Sequence, residues 1–480
     1  MKDKLKILFV IPVPGKHQYI SFGIGYLSSY IKKYADKKII IKLADENAGD
    51  DILKIFLKEK PDIVGITAST PQIPRAEKIA AEMKRLKKDC FIVFGGIHAS
   101  IMPEQTLCDC SAIDLIVIGE GEETLKELSD LWLKKNGKIL HELDSIPGLA
   151  FRRNGGIYKT KSRELISEID KIPPPDREIF NEEYYLSPRQ LIRGFSARRS
   201  TSILTSRGCP YSCKFCASNL MAKKYRAHSV GYIMEEIKNL VEKYKIESLY
   251  FHDDLFIANK KRVFDFCDEF IKAGYHKKII WCCQVRAELI NKESILLLEK
   301  MKEAGCKQLE FGFESGSNRV LKFLKGDTAS VIQNQVAIDT VKKVGLRIFG
   351  NFMIGSITET KREIEMTKKF IKKNNNKIDF FQTYITVPYP GTSIWEMCKE
   401  RKLIQEGEKF ENFFLFNGDN ISRSFCDTAP LGYLEKTVME LNRMALDKIP
   451  LKEKILWATN FILKDPKQVF LRACSYLKGF

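Results

Sequence analysis

Cys209, Cys213 and Cys216 are the residues of this chain whose types and spacing most clearly imply chemistry. They read Cys209-Pro-Tyr-Ser-Cys213-Lys-Phe-Cys216, so three thiols lie within eight residues. Thiolates at this spacing can hold an iron–sulfur cubane on a single loop. Three protein ligands leave one iron of a [4Fe–4S] cluster open for another molecule, just as catalytic metal sites keep an open position.

The alternative interpretation of these cysteines is a zinc site or ordinary buried thiols. Zinc prefers four ligands, and the next candidate in the sequence, His228, lies twelve residues beyond Cys216. The iron–sulfur interpretation is therefore favoured. The 13 cysteines are odd in number and scattered, and the N-terminus lacks the zones of a signal peptide. We therefore expect a cytoplasmic protein without a disulfide framework.

The elements that must position the cysteine loop are short apolar strands that alternate with amphipathic helices. From about residue 200 the predicted strands are Ser202–Ser206, Ser248–Phe251, Ile279–Cys283, Gln308–Phe311, Arg347–Met353 and Phe380–Ile385. Six strand–helix units in a row predict a partial (β/α)6 barrel. Such barrels carry their active sites at the carboxyl ends of the strands, and the cysteine loop follows the first strand.

The first part of the chain shows the same alternation. Its predicted strands are Leu5–Ile11, Ile39–Leu43, Ile63–Thr67, Cys90–Phe94 and Leu115–Ile118. This pattern predicts an α/β fold with a doubly wound parallel sheet, which binds ligands beyond the strand carboxyl ends. The expected domains are this sheet, a hairpin and Pro-rich linker, the partial barrel and a helical C-terminal tail, over residues 1–135, 136–195, 196–425 and 426–480. The hairpin spans Leu149–Tyr158 with Asn154-Gly155-Gly156 at its turn.

The three-cysteine loop, with Phe215 before its last cysteine, resembles that of the radical S-adenosylmethionine (radical SAM) superfamily. The resemblance implies that the open iron binds S-adenosylmethionine and that one electron cleaves it to a 5′-deoxyadenosyl radical. It also implies S-adenosylmethionine contacts, mostly at strand ends, from Phe215, Asp253, Asp254, Gln284, Arg286, Glu314, Ser315, Gly350, Asn351 and Gly355. Helix capping is the alternative role for the aspartates and for Glu314 with Ser315.

The first domain resembles the cobalamin-binding domain fused to many radical SAM proteins. The resemblance implies cobalamin contacts from small and polar residues at strand ends: Thr67, Ser69, Gly95, Gly96, His98, Gly119, Glu120, Gly121 and Glu122. The Asp-x-His-x-x-Gly motif that ligates cobalt in many cobalamin proteins is absent, since the chain after the second strand reads Glu46-Asn-Ala-Gly-Asp-Asp. Cobalamin is therefore expected without a histidine on cobalt, and a hydrogen-bonded loop histidine is the alternative role of His98.

The combined resemblance implies a cobalamin-dependent methyltransferase that acts on an unactivated carbon of a small molecule or lipid. A reductant such as flavodoxin or ferredoxin would supply the electron. The alternatives are a non-methylating cyclase, oxidase or carbon–carbon coupling enzyme, a methylthiotransferase of transfer RNA, and a non-catalytic cobalamin or redox sensor. A methylthiotransferase needs a second cluster, and Cys90, Cys108 and Cys110 are poorly placed for one.

The net charge of +18 comes from 79 Lys and Arg against 61 Asp and Glu. The lysines are dispersed, so solvated lysine faces explain the charge better than nucleic-acid binding. The apolar segment Ile455–Leu463 is flanked by lysines, which is compatible with a helix on an anionic membrane. A helix that packs against the barrel core is the favoured interpretation.

Overall fold

The computed structural model describes residues 4–13, 19–35, 38–186, 192, 195, 197, 199–405, 407–410, 413 and 424–449. The predicted helix at Ile455–Leu463 lies outside these residues. The described chain forms two large sheets. Helices alternate with their strands along the sequence and cover the sheets.

The first sheet has seven strands, and their order in space is β2-β1-β3-β4-β5-β6-β7. Their bounds are β1 Leu5–Ile11, β2 Ile39–Asp45, β3 Ile63–Thr67, β4 Phe91–Gly95, β5 Leu115–Val117, β6 Leu149–Arg153 and β7 Gly156–Lys159. Strands β1 to β5 pair in parallel, which confirms the predicted parallel sheet.

The predicted hairpin forms, but its place in the fold differs from the expectation. Strand β6 pairs antiparallel with β5, and β7 pairs antiparallel with β6, so the hairpin extends the first sheet. Leu149, Ala150 and Phe151 are buried in this pairing. The local sequence does not predict the pairing of β6 with β5, because Leu149 pairs with Val117, which lies 32 residues earlier in the chain.

Helices cover both faces of the first sheet, as a doubly wound fold requires. They are α1 Phe22–Tyr34, α2 Ile52–Glu59, α3 Ile73–Leu86, α4 Ile97–Ile101, α5 Pro103–Asp109 and α6 Glu122–Lys135. Alternate side chains of β1 point to opposite faces. Leu8 therefore packs with Phe56 and Ile79 on one face, whereas Phe9 packs in the cluster of α1 and α6 on the other.

The second sheet has six strands, all parallel, in the order β15-β14-β13-β12-β11-β8. Their bounds are β8 Ser200–Ile203, β11 Ser248–Phe251, β12 Ile280–Val285, β13 Cys306–Glu314, β14 Arg347–Ile354 and β15 Phe380–Ile385. Each strand lies beside its predecessor in the sequence, which confirms the partial barrel. A separate two-stranded ribbon pairs β9 Ser206–Arg207 with β10 Arg226–Ala227. The first strand was predicted to run to Ser206, but it ends at Ile203.

The helices after the first sheet are α7 Glu182–Tyr185, α8 Ser218–Met221, α9 Val230–Glu242, α10 Lys260–Lys272, α11 Ile295–Glu303, α12 Asn318–Lys325, α13 Val331–Val344, α14 Lys361–Lys373, α15 Ser393–Glu400 and α16 Leu431–Asp447. The outer face of the second sheet packs on them through apolar side chains such as Phe251, Trp281 and Phe311. The alternate side chains, such as Tyr250, Gln284 and Glu310, point to the concave face.

Glu359 is a buried carboxyl in the connection between β14 and α14. Its Oε2 accepts a hydrogen bond from the Ser356 backbone N–H at 3.1 Å, and Oε1 has no partner among the described residues. Burial raises the pKa of Glu359 to about 8. The protonated carboxyl therefore stabilises the fold below the ordinary pKa of 4.5, and this contribution is lost as pH rises to about 8.

We expect Glu359→Gln to gain stability relative to the unmodified protein between about pH 6 and about pH 9, because glutamine does not ionise. The relative gain should be on the order of 2 kcal/mol. Chemical denaturation at the two pH values measures it, and Glu299→Gln, at an exposed carboxyl, serves as the control. A difference between variant and parent that stays constant with pH would contradict the expectation.

Candidate functional site

The cysteine loop leaves the ribbon after Arg207 and returns to it at Arg226. Cys213 is buried, whereas Cys209 and Cys216 are partly accessible. The backbone holds the loop in place: the Cys209 N–H donates to Ala222 O, Lys214 N–H donates to Leu324 O at the end of α12, and Ile394 N–H donates to Lys214 O. Burial raises the pKa of the Cys209 and Cys216 thiols, because removal from water disfavours the charged thiolate.

Arg286, at the end of β12, faces this loop. Its Nη1 lies 3.0 Å from Cys213 Sγ, and its guanidinium lies over the Tyr211 ring at 3.7 Å. Its Nη2 also donates to Glu288 at 2.8 Å, and Lys325 lies 3.4 Å from the same carboxylate. Arg286, a predicted S-adenosylmethionine contact, thus also contacts Cys213, a predicted cluster ligand. Tyr211, Glu288 and Lys325 were missed because no short motif marks them.

Asp253 and Asp254 are adjacent but have different surroundings. Asp253 is fully buried and accepts hydrogen bonds from Thr205 N and Thr205 Oγ1, at 3.1 and 2.8 Å, and from Ser206 Oγ. Asp253 thereby joins the end of β11 to the residues that follow β8, and its contact with S-adenosylmethionine stays a prediction. Asp254 lies on the accessible side, near the cysteines, and accepts from Ser218 Oγ at 3.1 Å. Neither caps α10, since Asn259 does so.

Glu314 ends β13 with a positive φ of 56°, an uncommon conformation for a residue with a side chain. Its buried carboxyl lies near Lys325 and Arg286, and burial raises its pKa despite those two cations. A strained, buried carboxyl at a strand end fits a ligand contact. Ser315, in contrast, binds Thr367 Oγ1 at 3.0 Å and accepts from Ser317 N–H, and its contact with S-adenosylmethionine stays a prediction.

Residues of β14 divide between the two faces of the second sheet. A Cβ on Gly350 would meet the Phe313 ring at 3.0 Å, and a Cβ on Gly355 would meet Leu434 at 2.8 Å. A side chain at either position would meet neighbouring protein side chains, and the contact of these glycines with S-adenosylmethionine stays a prediction. Asn351 alternates with Gly350 and faces the concave side with Gln284, whose Nε2 donates to Tyr250 OH at 2.6 Å. Phe215 is half-buried against the apolar cluster that includes Trp395.

The carboxyl ends of β3 and β4 bring the predicted cobalamin residues of these strands together. Gly96 has a positive φ of 89°, and a Cβ there would lie 2.8 Å from Thr67 Oγ1. Thr67, Ser69 and Gly95 are partly accessible. His98 is buried, its Nδ1 lies 3.0 Å from Thr70 Oγ1, and burial lowers its pKa to about 4. Its Nε2 has no partner within the described part of the chain.

Gly119, Glu120, Gly121 and Glu122 follow β5, as predicted. An added Cβ at Gly119 would enter open space, whereas one at Gly121 would meet Leu27 at 3.2 Å. Both carboxylates are ion-paired with arginines: Glu120 with Arg207 and Arg226, and Glu122 with Arg207. Glu120 and Glu122 thus bind the two-stranded ribbon, and their contact with cobalamin stays a prediction.

The residues present fit the expected cofactors. In a cubane each thiolate binds a different iron, so three thiols on one loop need not converge on a point. No three or more His, Cys, Asp or Glu in the described ranges converge as ligands of a single ion would. His228 is stacked on Tyr232 and bound to Asp170, away from a role as a fourth zinc ligand. The open space at Gly119 and the unpaired Nε2 of His98 fit a corrin at the first sheet.

Two further sequence expectations concern other cysteines and the membrane. Cys90 is buried, Cys108 is exposed, and the Cys110 thiol donates to Glu77 O at 3.9 Å, so these thiols have three separate environments. Among the residues that the structure covers, no helix is both long and apolar enough to cross a bilayer.

The comparisons with known proteins agree with this geometry. The B12 binding domain family matches residues 13–129, and the radical SAM superfamily matches residues 203–371. The chain is 38% identical over 384 residues to an uncharacterized methyltransferase of Pyrococcus horikoshii, which covers 80% of this chain and 79% of the relative. It is 26% identical to the anaerobic magnesium-protoporphyrin IX monomethyl ester cyclase of Rubrivivax gelatinosus, over 81% of this chain and 68% of that enzyme.

Among solved structures, the fold matches apo OxsB, a cobalamin-dependent S-adenosylmethionine radical enzyme. The TM-score is 0.72 at 20% identity, over 99% of this chain and 75% of OxsB. Against OxsB with aqua-cobalamin bound, the match has a TM-score of 0.64 at 22% identity and spans only 53% of that chain. The predicted fold class and cofactors are thereby confirmed. The chain belongs to the family of radical SAM proteins that carry an N-terminal B12-binding domain and use a [4Fe–4S] cluster, S-adenosylmethionine and cobalamin.

Proposed function

We propose that this chain is a cobalamin-dependent methyltransferase that acts on an unactivated carbon of a polar small molecule. The observation that carries the proposal is the contact between the carboxyl ends of the two sheets. Glu120, after β5, pairs with the arginines that flank the cysteine loop. Tyr19, after β1, stacks on Tyr250 of β11 with ring centroids 5.3 Å apart. The two strand edges at which we propose that the cofactors bind therefore contact each other, and this supports methyl transfer to a substrate radical, which requires the reacting groups to be close.

When bound, the cluster and S-adenosylmethionine supply a 5′-deoxyadenosyl radical, and cobalamin supplies the methyl group. The chain's own residues divide the remaining work. Cys209, Cys213 and Cys216 would hold the cluster, Asp254, Arg286 and Glu314 would orient S-adenosylmethionine, and the first sheet would hold the corrin. Radical SAM enzymes draw their electron from a reductant, and we propose a flavodoxin or ferredoxin for this role.

The concave face of the second sheet supports a polar substrate over a lipid. Tyr250 OH donates to Glu310 at 3.0 Å, Gln308 Nε2 donates to the same carboxylate at 3.0 Å, and Gln284 donates to Tyr250. At the edge of the sheet, on β15, Tyr384 OH also donates to Gln382. Gln284, Glu310 and Tyr384 stay partly accessible on this face, and an acyl chain would cover their polar atoms at a cost of about 1–3 kcal/mol for each atom left without a partner.

The first stage of the test needs no substrate. The protein is purified anaerobically with cobalamin, its corrin is reduced, and S-adenosylmethionine with a trideuterated methyl group is added. We expect the label on the corrin, with one S-adenosylhomocysteine released per methyl group. Protein without bound corrin would overturn the cobalamin assignment. Bound corrin that stays unlabelled, together with 5′-deoxyadenosine, would favour a non-methylating cyclase or oxidase.

The second stage tests the substrate class. The labelled holoenzyme is incubated with the aqueous and the chloroform-soluble fractions of an extract of the source organism. Mass spectrometry then follows the trideuterated methyl group. We expect a labelled product in the aqueous fraction, and a product confined to the chloroform fraction would contradict the polar substrate.

A further inference from the structure

Four charged side chains join the end of β5 to the ribbon that carries the cysteine loop, and we call Glu120, Glu122, Arg207 and Arg226 the clasp. Arg226 Nη1 and Nη2 donate to the two Glu120 oxygens at 2.8 Å each. Arg207 Nη1 donates to Glu120 at 3.1 Å, and its Nη2 donates to Glu122 at 2.6 Å. The clasp thus closes residues that are 85 to 106 positions apart in the chain.

The four clasp residues lie beside the predicted corrin edge and the cysteine loop. Glu120 and Glu122 stand one and three residues beyond Gly119, whose open space lies at the predicted corrin edge. Arg207 and Arg226 are direct partners in the ribbon, and all three cluster cysteines lie on the loop between them. Both ends of the cluster loop are therefore fixed to the strand end that borders the corrin.

The contacts around the clasp make it rigid. Arg226 Nη1 also donates to Ile166 O at 2.6 Å, and the Ile166 N–H donates back to Glu120 at 3.1 Å. The Arg207 guanidinium lies 4.8 Å from the Tyr26 ring centroid. Arg226 is only 4% exposed and Arg207 12%, so bulk water and salt screen these pairs weakly. Bidentate arginine–carboxylate pairs also fix the relative orientation of the two side chains.

The charges confirm that these are ion pairs. Burial alone would raise the pKa of Glu120, but the hydrogen bonds and charges of Arg226 and Arg207 outweigh it, so the pKa is lowered. Glu120 is thus ionised at neutral pH. Separation of Glu120 from the two arginines would leave a buried charge without its partner.

We propose that the clasp sets the distance between the cluster loop and the corrin edge, so that Glu120, Glu122, Arg207 and Arg226 are positioning residues for methyl transfer. This inference rests on the proposed function. A local contact inside either sheet would not link the two edges, whereas the clasp spans them directly. Misplacement of reacting groups by about 1 Å can cost about 10²-fold in rate.

The experiment compares two rates that share the cluster but differ in their need for the corrin. Glu120→Gln and Arg207→Gln proteins are loaded with cluster and cobalamin, and iron and corrin contents are measured. We expect both contents to stay near those of the parent. Methyl transfer from S-adenosylmethionine to the reduced corrin should fall about tenfold or more. Formation of 5′-deoxyadenosine, which needs only the cluster side, should fall less than about threefold.

A spectroscopic measurement tests distance without turnover. The magnetic interaction between the reduced cluster and cob(II)alamin depends on their separation, and EPR records it. We expect the distribution of distances between the cluster and cobalt to shift and to broaden in the clasp variants. Glu120→Asp keeps the charge but shortens the side chain by one methylene, so it should show an intermediate shift. If Glu120→Gln fails to fold, Glu122→Gln removes a single contact and replaces it.

Arg163→Gln is the matched control. Arg163 is 11% exposed and pairs with Glu123 and Glu127, but it lies on the first-sheet side only. It should lower thermal stability without changing the two-rate ratio or the EPR interaction. A parent protein that binds corrin but never methylates it would defeat the proposed function alone. A parent that methylates its corrin, with clasp variants that keep the parental ratio and EPR interaction, would overturn the clasp inference.

Discussion

Cys213→Ala reduces 5′-deoxyadenosine formation to the level of a reaction without enzyme. This is the expected result because Cys213 is the buried thiol of the loop and the one that Arg286 contacts at 3.0 Å. Without it the loop offers two thiolates, and a cubane on two protein ligands is not held. Iron and sulfide contents after anaerobic reconstitution, and the absorbance of the cluster, should fall with activity.

Cys108→Ala is the matched control for this prediction. Cys108 is an exposed thiol of α5 on the first-sheet side. Its removal should leave iron content and 5′-deoxyadenosine formation at the parental level. A Cys213→Ala protein with full iron content and normal cleavage of S-adenosylmethionine would contradict the assignment of the cysteine loop.

Asp253→Ala is expected to destabilise the protein far more than Asp254→Ala. Removal of the Asp253 carboxylate leaves Thr205 N–H, Thr205 Oγ1 and Ser206 Oγ without their acceptor. It also removes the charge that faces Arg262, which itself binds Thr205. Breaking a buried charged network costs about 3–5 kcal/mol. Asp254 makes one hydrogen bond, to Ser218, so its loss should cost about 1 kcal/mol or less.

Two measurements separate the two aspartates. Denaturant unfolding of the cluster-loaded proteins reports stability, and equilibrium dialysis reports the affinity for S-adenosylmethionine. We expect Asp253→Ala to lose stability and Asp254→Ala to lose affinity while it stays folded. Asp253→Asn keeps the shape of the side chain and should lie between Asp253→Ala and the parent in stability. Equal losses of stability at both positions would contradict the burial of Asp253 as the cause.

Short sequence patterns predict much of the fold of this protein. The strands Leu5–Ile11, Ile63–Thr67, Ser248–Phe251 and Phe380–Ile385 have the bounds that their apolar runs predict. Parallel strands buried on both faces are continuous apolar segments, and amphipathic helices repeat between them. The cysteine spacing is equally local, because one loop supplies every ligand. Fold class and cofactor chemistry were therefore predictable from the chain alone.

Long-range pairing is where the local pattern fails. The hairpin at Leu149–Lys159 was recognised, but its partner β5 was not, since the pairing depends on the position of both segments in space. Gly350 and Asn351 are neighbours that lie on opposite faces of the second sheet. Only the register of β14 in the sheet decides which one faces the concave side. Lys325 and Glu288 likewise become neighbours of Arg286 only through folding.

The sequence by itself predicted a three-cysteine cluster loop and determined that the chain forms two α/β units, because spacing and periodicity are properties of short segments. Only the tertiary structure decided which protein groups the strand-end carboxylates bind. Asp253 is enclosed by the end of β8, and Glu120 and Glu122 are held by Arg207 and Arg226. A buried carboxylate takes whichever cation or donor the fold brings within hydrogen-bond distance, and those partners lie 47 to 106 residues away.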